Sequence, residues 1–277
     1  MTLNKTFLRI WTSVFLVFCL LIGPLQLTAA ELTAREVAQK SDDRDDGDTM
    51  ISDMTMILID RRNNKRVRKI KAYRKDYGKD TKQISFFLSP ADVKNTAFLS
   101  YEWDDDDKDD DNWLYLPALR KVKRIASSNK KDSFMGSDFA YVDMNGFKIS
   151  RWDYKFLKKS EMVDGADCWV IEAVPRKDIK KQVIKETGYV KRVAWIRKDN
   201  FIGVKGKSYV KKGKKIKYYK AVDLQLIDGI WTPKRMEMIT TKRKRKEHAT
   251  VLLFENIKYN QGVEDNLFNT QRMERGL

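Results

Sequence analysis

The stretch "KKIKYYKAVDLQLI", residues 214–227, decides what kind of fold this chain can adopt. Read at a period of two, it sets Ile216, Tyr218, Val222, Leu224 and Leu226 on one side and Lys217, Tyr219, Asp223 and Gln225 on the other. A strand with one apolar and one wet face belongs to an antiparallel sheet that shields a single side. The same period runs outward in both directions. "TMISDMTMILID" (49–60) alternates Met54, Met56 and Leu58 against Thr55, Ile57 and Ile59, and strand-like runs continue through "ISFFLS", "NWLYLP", "CWVIEAV", "VKRVAWIR" and "TVLLFENI". Between them, "RRNNK", "DDDDKDDDN", "VDGAD", "RKDN", "KKGKK" and "DGIW" carry turn chemistry. The pattern predicts a mainly β chain of about eleven strands in an antiparallel meander.

A long sheet with one apolar face closes into a barrel, packs on a second sheet, or curls around helices. Helical signals are few. Thr33 and Glu36 make a capping box with Leu32 and Val37 as its staple, over 32–42, and weaker signals fall at 137–146 and in "RKDIKKQVIKE" (176–186). Two or three helices suit a curled sheet wrapped on a helical plug. With no internal repeat and no long biased linker, residues 31–277 are expected to form one domain.

Residues 1–30 read as a signal peptide. Lys5 and Arg9 precede the apolar run "IWTSVFLVFCLLIGPL", and Thr28, Ala29 and Ala30 offer small residues for cleavage after Ala29 or Ala30. Cys168 is then the one remaining thiol, so no internal disulfide is expected and stability rests on a core. The net charge of +17 suits anionic lipid head groups, acidic glycans or an acidic protein, while nucleic acid is out of place for an exported chain.

Sites that carry chemistry are scarce. "DDDDKDDDN" (104–112) lacks the glycine turn and distal glutamate of a calcium loop and reads as a solvated hairpin tip. His248 is the single histidine, which leaves no multi-histidine metal site and no histidine-based triad, and Cys168 alternates with Val170 like a core residue. Asp138 and Asp143 are the least implausible carboxylate pair, but five residues apart they would fall on different helix faces. No enzyme, metal or cofactor is therefore expected. The basic clusters "RRNNKRVRKIKAYRK", "LRKVKRIASSNKK", "VKKGKKIKYYK" and "KRKRKEH" exceed what protecting sheet edges requires. Methionines and aromatics on strand faces suit a wall that adapts to flexible apolar ligands.

The order of elements, with "LYLPALRKVKRI" (114–125) followed by "SFMGSDF" (133–139), resembles the LolA-like outer-membrane lipoprotein-sorting family. The resemblance covers nearly all of the chain after residue 30. It implies a curved, half-open antiparallel β-barrel with helices and loops across an apolar cavity, in the periplasm of a Gram-negative bacterium. It also implies a carrier of the acyl chains of lipids or lipoproteins, moving them toward the outer membrane beside a transporter of the resistance-nodulation-division (RND) type. The arginine that locks the lid of the well-studied carrier has no matched position here.

On that reading the cavity wall is expected from Met54, Met56, Leu58, Phe86, Leu88, Trp113, Tyr115, Trp195, Met236 and Met238. Phe134, Met135 and Phe139 would form a lid, with Ser137 or Asp138 capping a short helix ended by Gly146, and its acids pairing with Lys123 or Arg124. Arg120, Lys121, Lys123 and Arg124 would meet a partner or lipid head groups. Charged sheet edges argue for a monomer. The rival classes are a cargo-free accessory subunit docked on a membrane transporter or sensor, and a hydrolase using Asp138 or Asp143.

Overall fold

The computed structural model describes residues 31–211 and 214–277; the expected signal peptide lies outside them. The chain starts with α1 (Ala34–Asp42), entered as its sequence predicts. Thr33 Oγ1 accepts from the Glu36 amide at 3.2 Å and the Glu36 carboxylate accepts from the Thr33 amide at 2.7 Å, satisfying two amides that the helix itself leaves open. Val37 and Ala38 are buried, and the helix packs on the strands Trp152–Val163 and Ala166–Pro175.

The strands are β1 (Thr49–Ile59), β2 (Lys65–Tyr77), β3 (Asp80–Ser89), β4 (Ala97–Glu102), β5 (Asp111–Leu116), β6 (Lys121–Arg124), β7 (Trp152–Val163), β8 (Ala166–Pro175), β9 (Tyr189–Arg197), β10 (Gly203–Val210), β11 (Lys215–Ile227), β12 (Ile230–Lys242) and β13 (Arg245–Tyr259). Short helices intervene as α2 (Tyr141–Met144), α3 (Lys180–Thr187) and α4 (Thr270–Arg275). The sheet has thirteen strands where about eleven were expected. Part of the difference lies in "NWLYLPALRKVKRI", which reads as one run but is broken by a 3-10 turn at Pro117–Leu119. Proline cannot supply a ladder donor there, so the run becomes β5 and β6.

The sheet is also not a simple meander. Its order is β6-β5-β4-β3-β2-β1-β13-β12-β11-β10-β9-β8-β7, with every neighbour antiparallel. The first and last strands pair in the middle, Met54 opposite Phe254 and Ile57 opposite Val251. The outer strands β6 and β7 are consecutive in sequence yet stand at opposite edges. Residues 125–151 must therefore cross from one edge of the curved sheet to the other, and this crossing segment is the plug.

The inner face of the sheet is covered, and the outer face is covered over part of its width. The inner face carries Met54, Met56, Leu58, Ile70, Phe87, Phe98, Met238 and Leu252, packed on Phe134, Phe139 and Tyr141 of the crossing segment. The outer face of β3–β5 carries Ile84, Phe86, Ala97 and Leu99 beneath Val263, Phe268 and Met273 of the C-terminal segment. A smaller outer cluster joins Cys168, Ile202 and Val204 to Trp195 and Leu224. In β11 the alternation is real but its sides differ from the expected ones. Tyr219, placed on the wet side, packs into the inner cluster, whereas Tyr218 and Leu226 from the apolar side are exposed. Lys217 turns inward with Tyr219 because a plug carboxylate, Asp143, waits there at 3.2 Å.

Candidate functional site: a plugged apolar trough

The plug is built as a small hairpin. The Phe134 amide donates to the Phe139 carbonyl at 2.8 Å, the Tyr141 amide donates to the Asp132 carbonyl at 3.1 Å, and Met135 and Gly136 turn the tip with φ of 49° and 73°. Its apolar side chains face the sheet. The Phe134 ring lies 5.1 Å from Phe98, 5.6 Å from Tyr141 and 6.2 Å from Phe87, close enough for edge and tilted ring contacts. Methionines 54, 56, 135, 236 and 238 fill the space around it. Thioether chains repack cheaply, so this wall tolerates a change of occupant better than a stiff branched core.

Polar groups hold the tip down. The buried Arg68 guanidinium donates to the Met135 carbonyl, and its burial lowers its pKa, with Arg66 adding to that effect. The Asp138 carboxylate, 1% exposed, accepts from Thr250 Oγ1 at 2.8 Å and contacts His248 Nδ1. The Asp138 amide donates back to Thr250 at 2.9 Å. Beside the tip lies a cleft of about 270 Å³ lined by Leu58, Asn64, Arg66, Gly136 and His248 among others.

The root of the plug is polar as well. Asp143 accepts from the Ala140 amide at 2.8 Å, from Tyr189 Oη at 2.7 Å and from Lys217 Nζ at 3.2 Å. Burial and the neighbouring Asp143 charge raise the Tyr189 phenol well above its ordinary value, and Arg192 lies with its guanidinium 3.4 Å from the Phe147 ring centroid. Asn145 donates to Ser100 at 2.5 Å and to Asn112 at 3.1 Å, and Gln83 bridges the Met144 carbonyl and Glu102, each at 3.1 Å. Burial, reinforced by Asp110, pushes Glu102 up to about 8.

The helical cap differs from the expectation. Ala140 precedes α2 and Asp143 reaches back to its amide, while Asp138 is spent on β13. Neither acid meets Lys123 or Arg124; Arg124 is bound to Asp111. Asp138 and Asp143 sit in separate networks, so the structure does not assemble them into one carboxylate pair.

The ten expected wall residues divide into two groups. Met54, Met56, Leu58, Met236 and Met238 meet on the inner face, with Phe134, Met135 and Phe139 laid over them. Phe86, Trp113 and Tyr115 face outward under the C-terminal segment, Trp195 is outward with its indole donating to Glu161 at 2.7 Å, and Leu88 is 43% exposed. One shared wall of ten is thus corrected to a wall of five. The reason is physical: a sheet buried on both faces, as this one is over β3–β5, gives apolar residues at odd and even positions alike, and period two cannot say which face is inner. Arg120 and Lys121 are exposed at the β5–β6 turn, Lys123 is exposed on β6, and Arg124 is engaged by Asp111.

The sequence does not reveal the plug contacts of Arg68, Lys217, His248 and Thr250. Each stands in register with an apolar inner row: Arg68 with Ile70, Lys217 with Tyr219, and His248 and Thr250 with Leu252 and Phe254. A polar residue interrupting such a row is the signal that could have found them.

A family model described as an uncharacterized protein matches residues 79–275. A DUF1329 family protein from Desulfovibrio piger is 32% identical, with a TM-score of 0.77 over 87% of this chain and 97% of that one. A domain ascribed to outer membrane lipoprotein sorting, from Vibrio parahaemolyticus, is 33% identical, with a TM-score of 0.76 over 87% of this chain and 98% of that one. A LolA superfamily protein from Nitrosomonas europaea shares the fold at 18% identity, TM-score 0.65, over 87% of this chain and 100% of that one. No curated protein matches the chain.

Proposed function

This chain belongs to the DUF1329 family, and from that premise we propose that it is a periplasmic carrier of acyl chains, loading lipid or lipoprotein tails into the trough beneath its plug. One observation carries the reading: the inner face is a methionine-rich wall covered by a hairpin, not by a continuous strand or long helix. Displacing Phe134, Met135 and Phe139 would uncover a groove of matching chemistry. Each methylene that enters it gains about 0.8 kcal/mol, so a tail of a dozen carbons outweighs the cost of opening and ordering. Transfer toward the outer membrane, beside an RND-type exporter, is the direction we propose. The lipoprotein-sorting relative from Vibrio parahaemolyticus supports the cargo class.

A second reading, a cargo-free accessory subunit, draws on one observation: the plug side chains fill the trough. Native mass spectrometry of the protein purified from its own envelope without detergent separates the two. Bound acylated molecules, lost in Met56→Arg and Met236→Arg, are expected for a carrier. A bare mass in the parent, with no uptake on challenge with fatty acid, would leave the accessory reading in place.

A further inference from the structure

Antiparallel pairing sends every turn of this sheet to one of two rims, about 35 Å apart by the length of an eleven-residue strand. The turns after β1, β10 and β12 share a rim, since Ile59 pairs with Ala249 and with Lys65, and Lys215 pairs with Lys242. "DRRNNKR" (60–66), "KRKRK" (242–246) and Lys211, Lys214 and Lys215 therefore stand side by side over five strand spacings, about 24 Å. The β5–β6 turn adds Arg120 and Lys121 to the same rim. The opposite rim holds "DDRDDGD" (42–48), "DDDDKDDD" (104–111), Asp164 and Asp228.

The two rims use one turn geometry with different residues. On the acidic rim, Asp164-Gly165 has φ of 48° and 83° and Asp228-Gly229 has 51° and 83°, the pairing that mirror-image hairpin turns favour. On the basic rim, Arg243-Lys244 adopts 49° and 67°, a conformation that a Cβ resists. Cations are held where sterics argue for glycine. Little on the rim neutralises them: Glu247 meets Arg61 at 3.3 Å, and the Asp60 carboxylate is spent on the amides of Arg62 and Asn64. Among the described residues no carboxylate reaches Arg66 or the cations of 242–246.

We infer that this rim is a docking surface for an anionic phospholipid bilayer. An arc of exposed, unpaired cations on separate hairpin tips fits a fluid field of phosphate groups, which can rearrange to meet each one. A specific protein interface has a different make-up, with charge depleted at its centre and an apolar core. Leu119 of the β5–β6 turn, 68% exposed, and Leu88, 43% exposed, add apolar contacts at the same rim, and the plug tip lies there against Thr250. The inference stands apart from the carrier reading, because docking needs no cargo.

Flotation of the protein, as the cell delivers it, with vesicles of phosphatidylethanolamine and phosphatidylglycerol tests this, with vesicles of phosphatidylcholine as the neutral comparison. Binding is expected to the anionic vesicles alone and to fall steeply with salt. Each cation near the surface contributes about fivefold in affinity, so K242Q/R245Q/K246Q is expected to lose about a hundredfold. K79Q/K108Q/K198Q, at the acidic rim, is expected to stay within about twofold. Equal binding to phosphatidylcholine, equal loss in both triple variants, or no vesicle binding with capture of a single acidic protein would overturn the inference. Uptake of a soluble fluorescent fatty acid by K242Q/R245Q/K246Q is expected to be unchanged; docking without uptake in the parent would end the carrier reading and leave this one standing.

Discussion

On the outer face of β3–β5 the C-terminal segment lays Val263, Phe268 and Met273 over Ile84, Phe86 and Leu99; on the inner face the plug lays Phe134, Met135 and Phe139 over Met54, Met56 and Met238. The outer cover is fastened along its length. Tyr101 donates to the Phe268 carbonyl at 2.5 Å, Tyr77 donates to Asp265 at 2.7 Å, and Lys75 reaches both the Val263 carbonyl and Asp265. The plug is instead pinned at separate points, Asp138 on Thr250 at the tip, Lys130 on Asp110 at 3.3 Å and Asp143 on Lys217 at the root, with ring contacts around Phe134 between them, against a wall that repacks readily. The two covers thus differ in how they are held. On the proposed carrier reading the outer cover stays in place and the plug is the cover that lifts.

The sharpest way to break that distinction is to truncate a phenylalanine in each cover. Phe268→Ala should cost about 3–5 kcal/mol of global stability in urea unfolding, the usual loss for a buried aromatic. Phe134→Ala, although its parent side chain is fully buried, should cost less than about 2 kcal/mol, because local lifting of the plug caps the penalty. Amide exchange across 133–141 should accelerate in Phe134→Ala and stay slow in Phe268→Ala. Equal losses in the two variants would make the plug ordinary core.

Next in size is the tip latch. Asp138→Asn weakens a charged acceptor for Thr250 and His248 and should speed exchange across 133–141 by about fivefold or more, an effect of about 1–3 kcal/mol on opening. The matching change in the outer cover, Tyr101→Phe, should leave exchange in 263–275 within a fewfold.

A further test is a pH dependence at the plug root. Glu102 is pushed up to about 8 from an ordinary 4.5, so between those values the folded state holds a proton that the unfolded chain has released. Its contribution is full below about 4.5 and is lost as pH rises toward about 8. Melting temperature should drift downward over that window, and Glu102→Gln, which keeps the Gln83 contact without the titration, should flatten the drift. An unchanged slope would place the effect elsewhere.

Most of the architecture is legible in the chain. The period-two runs, the capping box at Thr33 and Glu36, and the Asp-Gly turns are local signals, and each appears where its residues stand. The pairing of β1 with β13 is not local, and nothing in either strand names the other as partner. The site was half legible for the same reason. Met54, Met56 and Leu58 declare one face of a strand, but only the position of the C-terminal segment reveals that Phe86 and Trp113 look the other way. The Asp138–His248 contact joins positions 110 residues apart and lies beyond any spacing argument.

The central pairing of the first strand with the last has a consequence in time. Met50 lies opposite Tyr259, so half the sheet has no neighbour to complete it until β13, about two hundred residues later, has been synthesised. Contacts of such sequence separation close late and slowly, since most of the loop entropy must be surrendered before any reward arrives. The topology acts as a clock, delaying the finished sheet until synthesis has reached the final strand.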